Sequence, residues 1–266
     1  MKKFLLSAAA AFIAGGALYA GEAEFKFDKA ADWKSSTPIK WVGKESKTIE
    51  VTGPATLLSA KKFDIDHKKY YKLEADVKQI SGTSIPVCVG FKVFDKNDKE
   101  IFAYMVNARI GSETTVVKAV KPGDKVMIVK ANPQWKAGTY AVALNAKKDL
   151  SDLPSYDTLL ISNITPKGQE LEIQLKAPAP KAVPAGTVVR AHYGGGYMYT
   201  AGYKVMKAGE SVELKGTARG AAKHSMTSGC WAPGAVKAQV ILLVNWKWGV
   251  KEKLVAQIKD VELEIK

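Results

Sequence analysis

Aromatic and basic residues concentrate in the last third of the chain, and their chemistry suits the binding of sugar rings. A sugar ring has an apolar C–H face that stacks on an aromatic ring, and polar edges that hydrogen-bond to basic side chains. Glycine-rich turns interrupt this region, so we expect several of these side chains to lie on loops. The candidate ligand-binding residues are Tyr193, Tyr197, Tyr199, Trp231, Trp246, Trp248, Arg190 and His192. The alternative is that the aromatic side chains fill a hydrophobic core.

The same region also allows a catalytic interpretation. Arg190, His192 and Tyr193 could together neutralise a uronate and abstract its proton, which is the chemistry of a polysaccharide lyase. Residues 199–203 faintly resemble the tyrosine-rich strand of jelly-roll alginate lyases, but the other two signature strands of that family have no counterpart here. No HExxH, CxxC or GxSxG motif is present. We therefore predict no catalytic residue, and a lyase is the weaker hypothesis.

Two carboxylates give the sequence one candidate metal site. Asp28 follows the first predicted strand, and Asp260 lies beside the last one. If the terminal strands run side by side, these side chains approach each other and supply the oxygen ligands that calcium prefers. The alternative is two solvated acids. No other cofactor is expected.

The two cysteines, Cys88 and Cys230, leave a disulfide open. An oxidising compartment permits the bond, and so long a loop would stabilise the fold by about 5 kcal/mol on the chain-entropy model. However, Cys88 lies within a strand pattern and Cys230 in a turn-rich segment. Two separate thiols therefore fit as well as a bridge.

Apolar and polar residues alternate along most of the chain, which is the two-residue period of strands with one buried face. The pattern is clearest in 71–78, 87–93 and 257–265, and a turn cluster at 95–98 predicts a hairpin over residues 86–108. Helical patterns are few and short. The chain is therefore predicted to be all-β, as an antiparallel β-sandwich of the jelly-roll kind.

Three segments carry a family resemblance. They are Tyr-Tyr-Lys-Leu-Glu-Ala-Asp-Val at 70–77, the strand and turn at 87–101, and Gln-Ile-Lys-Asp-Val-Glu-Leu at 257–263. They resemble carbohydrate-binding-module-like jelly rolls of the galactose-binding-like type. The resemblance implies a non-catalytic carbohydrate-binding module with calcium near its terminal strand. Lys259-Asp260 replaces the acidic doublet of that family, and Asp98 replaces its turn glycine.

A segment of alternating proline and alanine at 176–184 bears on the domain organisation. Such a segment favours an extended polyproline conformation and could be a linker between two domains. It could equally cross between the two sheets of one sandwich, because proline is tolerated at sheet edges. We predict a single β-sandwich domain over residues 21–266, with 176–184 as the possible boundary.

The chain is strongly basic, with 40 Lys and Arg against 26 Asp and Glu and a formal net charge of +14. The lysines are dispersed along the chain, and arginine, which supplies the fork that reads bases and phosphates, is rare. This distribution argues against nucleic acid as a partner. It allows either a solvated lysine-rich face or long-range attraction to an acidic polysaccharide.

The first twenty residues have the layout of a bacterial signal peptide. Lys2 and Lys3 precede an apolar run over 4–18, and small residues lead to cleavage after Ala20 or Ala23. That run is short for a bilayer span, and no second run of that length follows. We therefore predict a secreted or periplasmic protein without a membrane span.

Together these features predict a secreted, non-catalytic, carbohydrate-binding β-sandwich, and the basic charge leaves acidic polysaccharide open as its ligand. The alternative is a structural or protein-interaction module of the cell envelope. Which glycan is bound, and the oligomeric state, do not follow from the sequence.

Overall fold

The computed structural model describes residues 23–43, 47–82, 85–226, 229–246 and 254–266. The predicted signal peptide, residues 1–20, lies outside this part of the chain. The regular secondary structure of the described residues is antiparallel strands apart from a four-residue helix, α1 (Ala103–Val106), and a 3₁₀ turn (Ala30–Asp32).

The strands are numbered in chain order: β1 (Ala23–Lys26), β2 (Trp33–Ser35), β3 (Ile39–Val42), β4 (Thr48–Thr52), β5 (Ala55–Ser59), β6 (Phe63–Asp64), β7 (Tyr71–Ser81), β8 (Ile85–Phe94), β9 (Glu100–Ile101), β10 (Thr114–Thr115), β11 (Val126–Lys130), β12 (Thr139–Leu144), β13 (Thr158–Lys167), β14 (Glu170–Leu175), β15 (Val188–Tyr193), β16 (Tyr203–Met206), β17 (Ser211–Ala218), β18 (Lys237–Val244) and β19 (Val255–Ile265).

Two antiparallel sheets face each other across a common core. Sheet 1 has the order β17-β7-β19-β4-β3, with β1 paired to β19. Sheet 2 has the order β16-β8-β18-β5-β2, with β6 paired to β18 and β9 to β8. Apolar residues of both sheets belong to one buried cluster, which we call the first core. The predicted all-β antiparallel sandwich is therefore confirmed.

The two-residue period explains why these segments form strands with one buried face. In β7, Leu73, Ala75 and Val77 point into the first core, while the residues between them face outward. β8 and β19 follow the same rule. The predicted strands at 71–77, 87–93 and 257–265 are all present.

The third sheet encloses a separate group of apolar side chains, the second core. Its order is β10-β15-β12-β13-β14-β11, and an isolated bridge joins Val116, the residue after β10, to Val129 on β11 at the other edge. The sheet therefore closes on itself around residues such as Met127, Trp135 and Ile173. A closed sheet leaves no open edge for pairing with another chain.

The proline- and alanine-rich segment 176–184 belongs to the second core. Ala179 and Val183 are buried there, and Val183 exchanges both backbone hydrogen bonds with Val120 at 2.9 Å. Residues 176–184 therefore pack within the second core and do not link the two cores. Whether the two cores fold as one domain stays a prediction.

The chain enters and leaves the second core at neighbouring points. Ala108 and His192 form a β-bridge, and the Tyr193 N–H donates to the Asn107 carbonyl at 3.0 Å. Asn107 is buried, and its side-chain oxygen accepts from the Met226 N–H at 2.9 Å. Residues 108–192 therefore form an excursion from the sandwich that begins and ends at one place.

The predicted hairpin over 86–108 is only partly correct. The turn at 95–98 is present, but the returning strand, β9, has two residues. The chain then makes the single turn of α1, which buries Ala103, Met105 and Val106. Burial of these three side chains replaces the expected strand. No helix among the described residues is long and apolar enough to cross a membrane.

Candidate functional site

Five partly buried aromatic rings form a continuous row on the protein surface. Their ring centroids follow one another at 5.7 Å (Tyr140–Tyr104), 5.4 Å (Tyr104–Phe102), 5.9 Å (Phe102–Tyr197) and 6.3 Å (Tyr197–Tyr199). Phe102 and Tyr104 are nearly parallel, with 6° between their planes. We call these five residues the aromatic row. Spacings of this kind are those of favourable aromatic pairs.

The row spans both cores because its members come from three parts of the chain. Tyr140 lies on β12 of the third sheet. Phe102 is the residue before α1, and Tyr104 lies within this helix. Tyr197 and Tyr199 lie between β15 and β16. The row therefore depends on how the excursion 108–192 sits against the sandwich.

Tyr197 and Tyr199 rest on an apolar floor formed by the outer face of sheet 2. Its buried members are Cys88, Ile241 and Leu243. Burial raises the pKa of the Tyr199 hydroxyl to about 12, and it also raises the pKa of Tyr197. Both hydroxyls are therefore protonated at neutral pH and can donate hydrogen bonds.

Two glycines let the segment that carries these tyrosines lie close to the sheets. A Cβ on Gly90 would overlap the Met198 carbonyl oxygen, and one on Gly216 would overlap the Thr200 carbonyl oxygen. The segment is held to β8 because the Phe91 N–H donates to the Met198 carbonyl at 2.8 Å. Glycine at 90 and 216 thus permits the position of Tyr197 and Tyr199.

Lysine side chains flank the row at two places. The Lys176 ammonium lies 4.0 Å from the centroid of the Tyr140 ring. The Lys92 ammonium lies 6.0 Å from the centroid of the Tyr197 ring and pairs with Glu100 at 2.7 Å. The surface therefore combines ring faces with cationic groups.

Arg190 was predicted to bind ligand, but its side chain is completely buried. Its guanidinium forms a bidentate pair with Asp152, at 2.7 and 3.2 Å, and donates to the Lys147 carbonyl at 2.9 Å. A buried guanidinium needs such partners because an unpaired buried charge is strongly destabilising. Arg190 therefore has a structural position behind the surface, and its charge faces Asp152.

His192, also predicted to bind ligand, is completely buried beside Arg190. Its Nε2 lies 3.0 Å from Arg190 Nε, and its Nδ1 lies 2.8 Å from the Tyr104 carbonyl oxygen. Because arginine can only donate, Nε2 accepts and Nδ1–H donates to Tyr104. Burial, followed by the charge of Arg190, lowers the pKa of His192 to about 4. His192 is therefore neutral near pH 7 and supports Tyr104 from behind.

Trp231 was expected on a loop but lies in the first core with no exposed surface. Its ring centroid is 4.9 Å from those of both Tyr71 and Phe91. The backbone N–H of Trp231 donates to the Gly220 carbonyl at 2.9 Å, which holds the turn-rich segment against the core. This burial corrects the predicted loop position, because the surrounding core covers the whole indole ring.

The remaining predicted residues lie at different places. Tyr193 is half-buried, with the Arg109 guanidinium 5.4 Å from its ring centroid. Trp246 follows β18, and its side chain is exposed. Trp248 lies outside the described residues. Of the eight predicted ligand-binding residues, the structure brings Tyr197 and Tyr199 together in the aromatic row.

Three members of the row, Phe102, Tyr104 and Tyr140, were not predicted from the sequence. Phe102 and Tyr104 are two residues apart, a spacing that would place them on one face of the strand expected there. That spacing was the available signal for the pair. Tyr140 gives no such signal, because only the packing of the two cores brings it near Tyr104.

No disulfide joins Cys88 and Cys230, so of the two alternatives the structure has the separate thiols. Cys88 lies on the outer face of sheet 2, beneath the tyrosines, and burial raises the pKa of its thiol to about 11. Cys230 lies in the segment that Trp231 anchors to the first core.

The predicted metal site has the expected backbone arrangement but few ligands. β1 pairs with β19, and the Phe27 N–H donates to the Val261 carbonyl at 3.0 Å, so Asp28 and Asp260 lie on neighbouring chain segments. The Asp260 carboxylate pairs with Lys259 at 2.9 Å. The described residues contain no group of three or more His, Cys, Asp or Glu side chains that could hold a metal ion. Calcium binding stays a prediction.

No family model and no curated protein matches this sequence. Among solved structures, a lectin from Bauhinia forficata in complex with GalNAc is 9% identical and has a TM-score of 0.30, over 92% of this chain and 99% of that one. The carbohydrate recognition domain of Emp47p is 9% identical, with a TM-score of 0.19 over 86% of this chain and 88% of that one. Similarities at this level identify neither a family nor a function.

Proposed function

We propose that this protein is a secreted or periplasmic, non-catalytic β-sandwich that binds carbohydrate through the aromatic row, with acidic polysaccharide as the preferred ligand. The observation that carries the proposal is the unbroken series of four contacts that joins five rings across the two cores. A row of rings matches a chain of sugar units, because each unit can present a C–H face to one ring.

Binding by such a row accumulates over several weak contacts. Each favourable ring contact contributes about 0.5–1.5 kcal/mol beyond the burial of apolar area. A single sugar therefore binds weakly, and affinity rises with the length of the oligosaccharide. The protonated hydroxyls of Tyr197 and Tyr199 are available to hydrogen-bond to the sugar edges.

The charges beside the row favour an acidic ligand. The Lys176 ammonium lies over the Tyr140 ring. A neutral sugar that stacks on this ring must displace the ammonium group, and it offers no negative charge in place of the lost cation–π contact. A carboxylate or sulfate on the sugar supplies a new partner for that ammonium. The net charge, +14 for the full chain and +14 − 2 = +12 without Lys2 and Lys3, adds a long-range attraction, which falls with salt because exposed charges are screened.

The surroundings of Arg190 and His192 support a non-catalytic role. A lyase needs a base that contacts the substrate and a cation that contacts its carboxylate. Here both side chains are buried, and both ring nitrogens of His192 are occupied. Only Tyr193 of the supposed catalytic trio is partly accessible.

Protein interaction is the second candidate, and a different group of residues favours it. Tyr203 and Val205 project from the edge strand β16 with 69% and 48% of their surfaces exposed. They lie on the outer face of sheet 2, opposite Cys88 and Pro86 in register. Exposed apolar side chains on one face are typical of contact surfaces for another protein.

Affinity electrophoresis in gels containing acidic or neutral polysaccharide tests the proposal. The parent protein is compared with a Tyr104→Ala, Tyr197→Ala double variant and with a Tyr70→Ala control, which removes an exposed tyrosine outside the row. Melting curves verify that each variant is folded. We expect retention by an acidic polysaccharide, loss in the double variant and no change in the control.

Two results would count against binding of carbohydrate through the aromatic row. Equal retention of the double variant and the parent excludes the row as the binding surface. If no polysaccharide retains the parent, a Tyr203→Ala, Val205→Ala variant becomes the relevant test in a pull-down from envelope extracts. Export is tested separately, by N-terminal sequencing of the processed protein from the culture medium or periplasm.

A further inference from the structure

A closed circuit of buried hydrogen bonds lies behind Tyr104. It begins at the Tyr104 carbonyl, passes through His192, Arg190 and Asp152, and reaches Ser155. The Ser155 N–H then donates to the Met105 carbonyl at 2.9 Å, which returns the circuit to α1. Two successive carbonyls of the helix are therefore held by groups from the second core and its loops.

The helix needs these partners because it is a single turn. The last carbonyls of any helix find no N–H donor within that helix, and α1 is too short to be stable on its own. The His192 Nδ1–H and the Ser155 N–H supply the missing donors. The position of the Tyr104 backbone, and hence of its ring in the row, therefore depends on groups that no ligand touches.

Charged groups face His192 from two of the elements that pack around it. Arg190 lies on the same strand, and Asp152 comes from the loop between β12 and β13. Glu113 lies 3.9 Å from Arg190 and adds a second, weaker negative charge. From α1, His192 meets only the neutral carbonyl of Tyr104.

We propose that Arg190, His192, Asp152 and Ser155 form a positioning device that holds Tyr104 in the aromatic row while His192 is neutral and releases it when His192 is protonated. The functional half of this inference rests on the proposed carbohydrate binding. The structural half concerns α1 and Tyr104 alone.

The geometry explains why one proton opens the circuit. Neutral His192 accepts at Nε2 from the Arg190 guanidinium. A proton on Nε2 turns this acceptor into a donor, so two N–H groups and two positive charges then face each other inside the protein. The Nδ1–H bond to Tyr104 cannot be kept if the ring moves to relieve that repulsion.

The same circuit favours the ionised form of the neighbouring acid, Asp152. Although burial acts to raise the pKa of Asp152, hydrogen bonds from Ser155 and Arg190 hold it below its usual value. The pKa of His192 itself is lowered to about 4 by burial and by Arg190. The device is therefore closed at neutral pH and opens in acid.

The test is an NMR titration of protein with ¹³C-labelled Tyr and His rings, from about pH 7 to about pH 3.5. Tyr104 signals are assigned with Tyr104→Phe, and Tyr199 serves as a control in the same row. We expect Tyr104 signals to shift with the midpoint of His192 while Tyr199 signals do not. In His192→Gln, which keeps neutral hydrogen-bonding groups, the Tyr104 transition is expected to disappear.

Binding is followed in parallel on dextran sulfate, whose charge does not change over this range. Retention of the parent is expected to weaken roughly tenfold across the full His192 transition, as expected when one or two stacked rings are lost. Retention of His192→Gln should not show this step.

Each remaining outcome has one meaning. Tyr104 signals that stay constant while His192 titrates overturn the inference, as does a transition that persists in His192→Gln. If Tyr104 and Tyr199 shift together, the event is general acid unfolding and the inference is also wrong. If Tyr104 follows His192 but no polysaccharide retains the parent at neutral pH, the proposed function fails and the positioning role is supported.

Discussion

The two sheets of the sandwich turn opposite kinds of surface outward, although both are built from the same alternating pattern. On sheet 1 the outward residues are ion pairs, such as Lys72 with Glu74 at 2.7 Å and Lys215 with Glu213 at 2.8 Å. On sheet 2 the outward residues include Cys88, Ile241 and Leu243, which Tyr197 and Tyr199 partly cover.

The difference shows that strand period and surface chemistry are separate properties. The period decides which residues face the core, and the outward set is then free to suit either water or a ligand. On sheet 1 the outward charges pair with each other and are hydrated, so this surface needs no partner molecule to cover it. The apolar floor of sheet 2 instead carries rings that can contact another molecule.

The largest expected effect comes from the first core, which lies between sheets 1 and 2 and is shared by both. Trp231→Ala is expected to lower the free energy of unfolding by about 3–5 kcal/mol, because it leaves a large cavity beside Tyr71 and Phe91. Chemical denaturation measures the change, and Trp246→Ala, at an exposed position, is the matched control. A loss of polysaccharide retention without loss of stability would instead place Trp231 at the surface.

The second prediction concerns pH. The pKa of His192 is about 4 in the folded protein, below its unfolded value of about 6.5, so the unfolded state binds the proton more readily. The contribution of His192 to stability is full above about pH 6.5 and is lost as the pH falls to about 4, amounting to about 3 kcal/mol. Urea denaturation at several pH values measures this loss. The difference between the parent and His192→Gln isolates it, and parallel curves for the two would contradict it.

The third prediction concerns the support of the aromatic row. Gly90→Ala places a methyl group against the Met198 carbonyl, so the segment that carries Tyr197 and Tyr199 must move. We expect a loss of about 1–3 kcal/mol in stability, together with weaker polysaccharide retention. Gly168→Ala, at a turn with open space but a positive φ, controls for glycine replacement in general. Unchanged retention by a destabilised Gly90→Ala protein would separate the row from binding.

The smallest effect is expected on sheet 1. Lys215→Ala removes an exposed ion pair with Glu213, and solvent already screens that pair. We expect no resolvable change in the melting midpoint and no change in retention beyond the general effect of one charge. A specific loss of binding in this variant would place a ligand site on the charge-paired face and reverse the comparison.

The fold could be predicted from the sequence because it depends on a local pattern. Residues 71–78 alternate strictly, and the structure buries the expected set. The separation into two cores could not be predicted, because strands of both cores alternate in the same way. Residues 176–184 have the composition of a linker, yet Ala179 and Val183 are packed in the second core.

The candidate site was less predictable because it is made by contacts between distant segments. Tyr197 and Tyr199 were found through their glycine-rich surroundings. Tyr140 joins the row only when β12 packs against α1, and no local pattern signals that contact. Trp231 and His192 were misplaced for a related reason: a turn-rich or polar neighbourhood in the sequence does not reveal what folds over it.

The adjacent ends of the excursion have a consequence for how this chain can be altered. Asn107 and Tyr193 are hydrogen-bonded neighbours, so the two ends of residues 108–192 are held next to each other. With respect to the sandwich, this segment is one long loop. The entropic cost of closing a loop grows only slowly with its length. Segments of very different length at this place would therefore cost the sandwich nearly the same free energy of loop closure. Exchanging the 108–192 segment would therefore remove Tyr140 from the aromatic row, together with His192 and Ser155, which hold the carbonyls of α1 behind Tyr104.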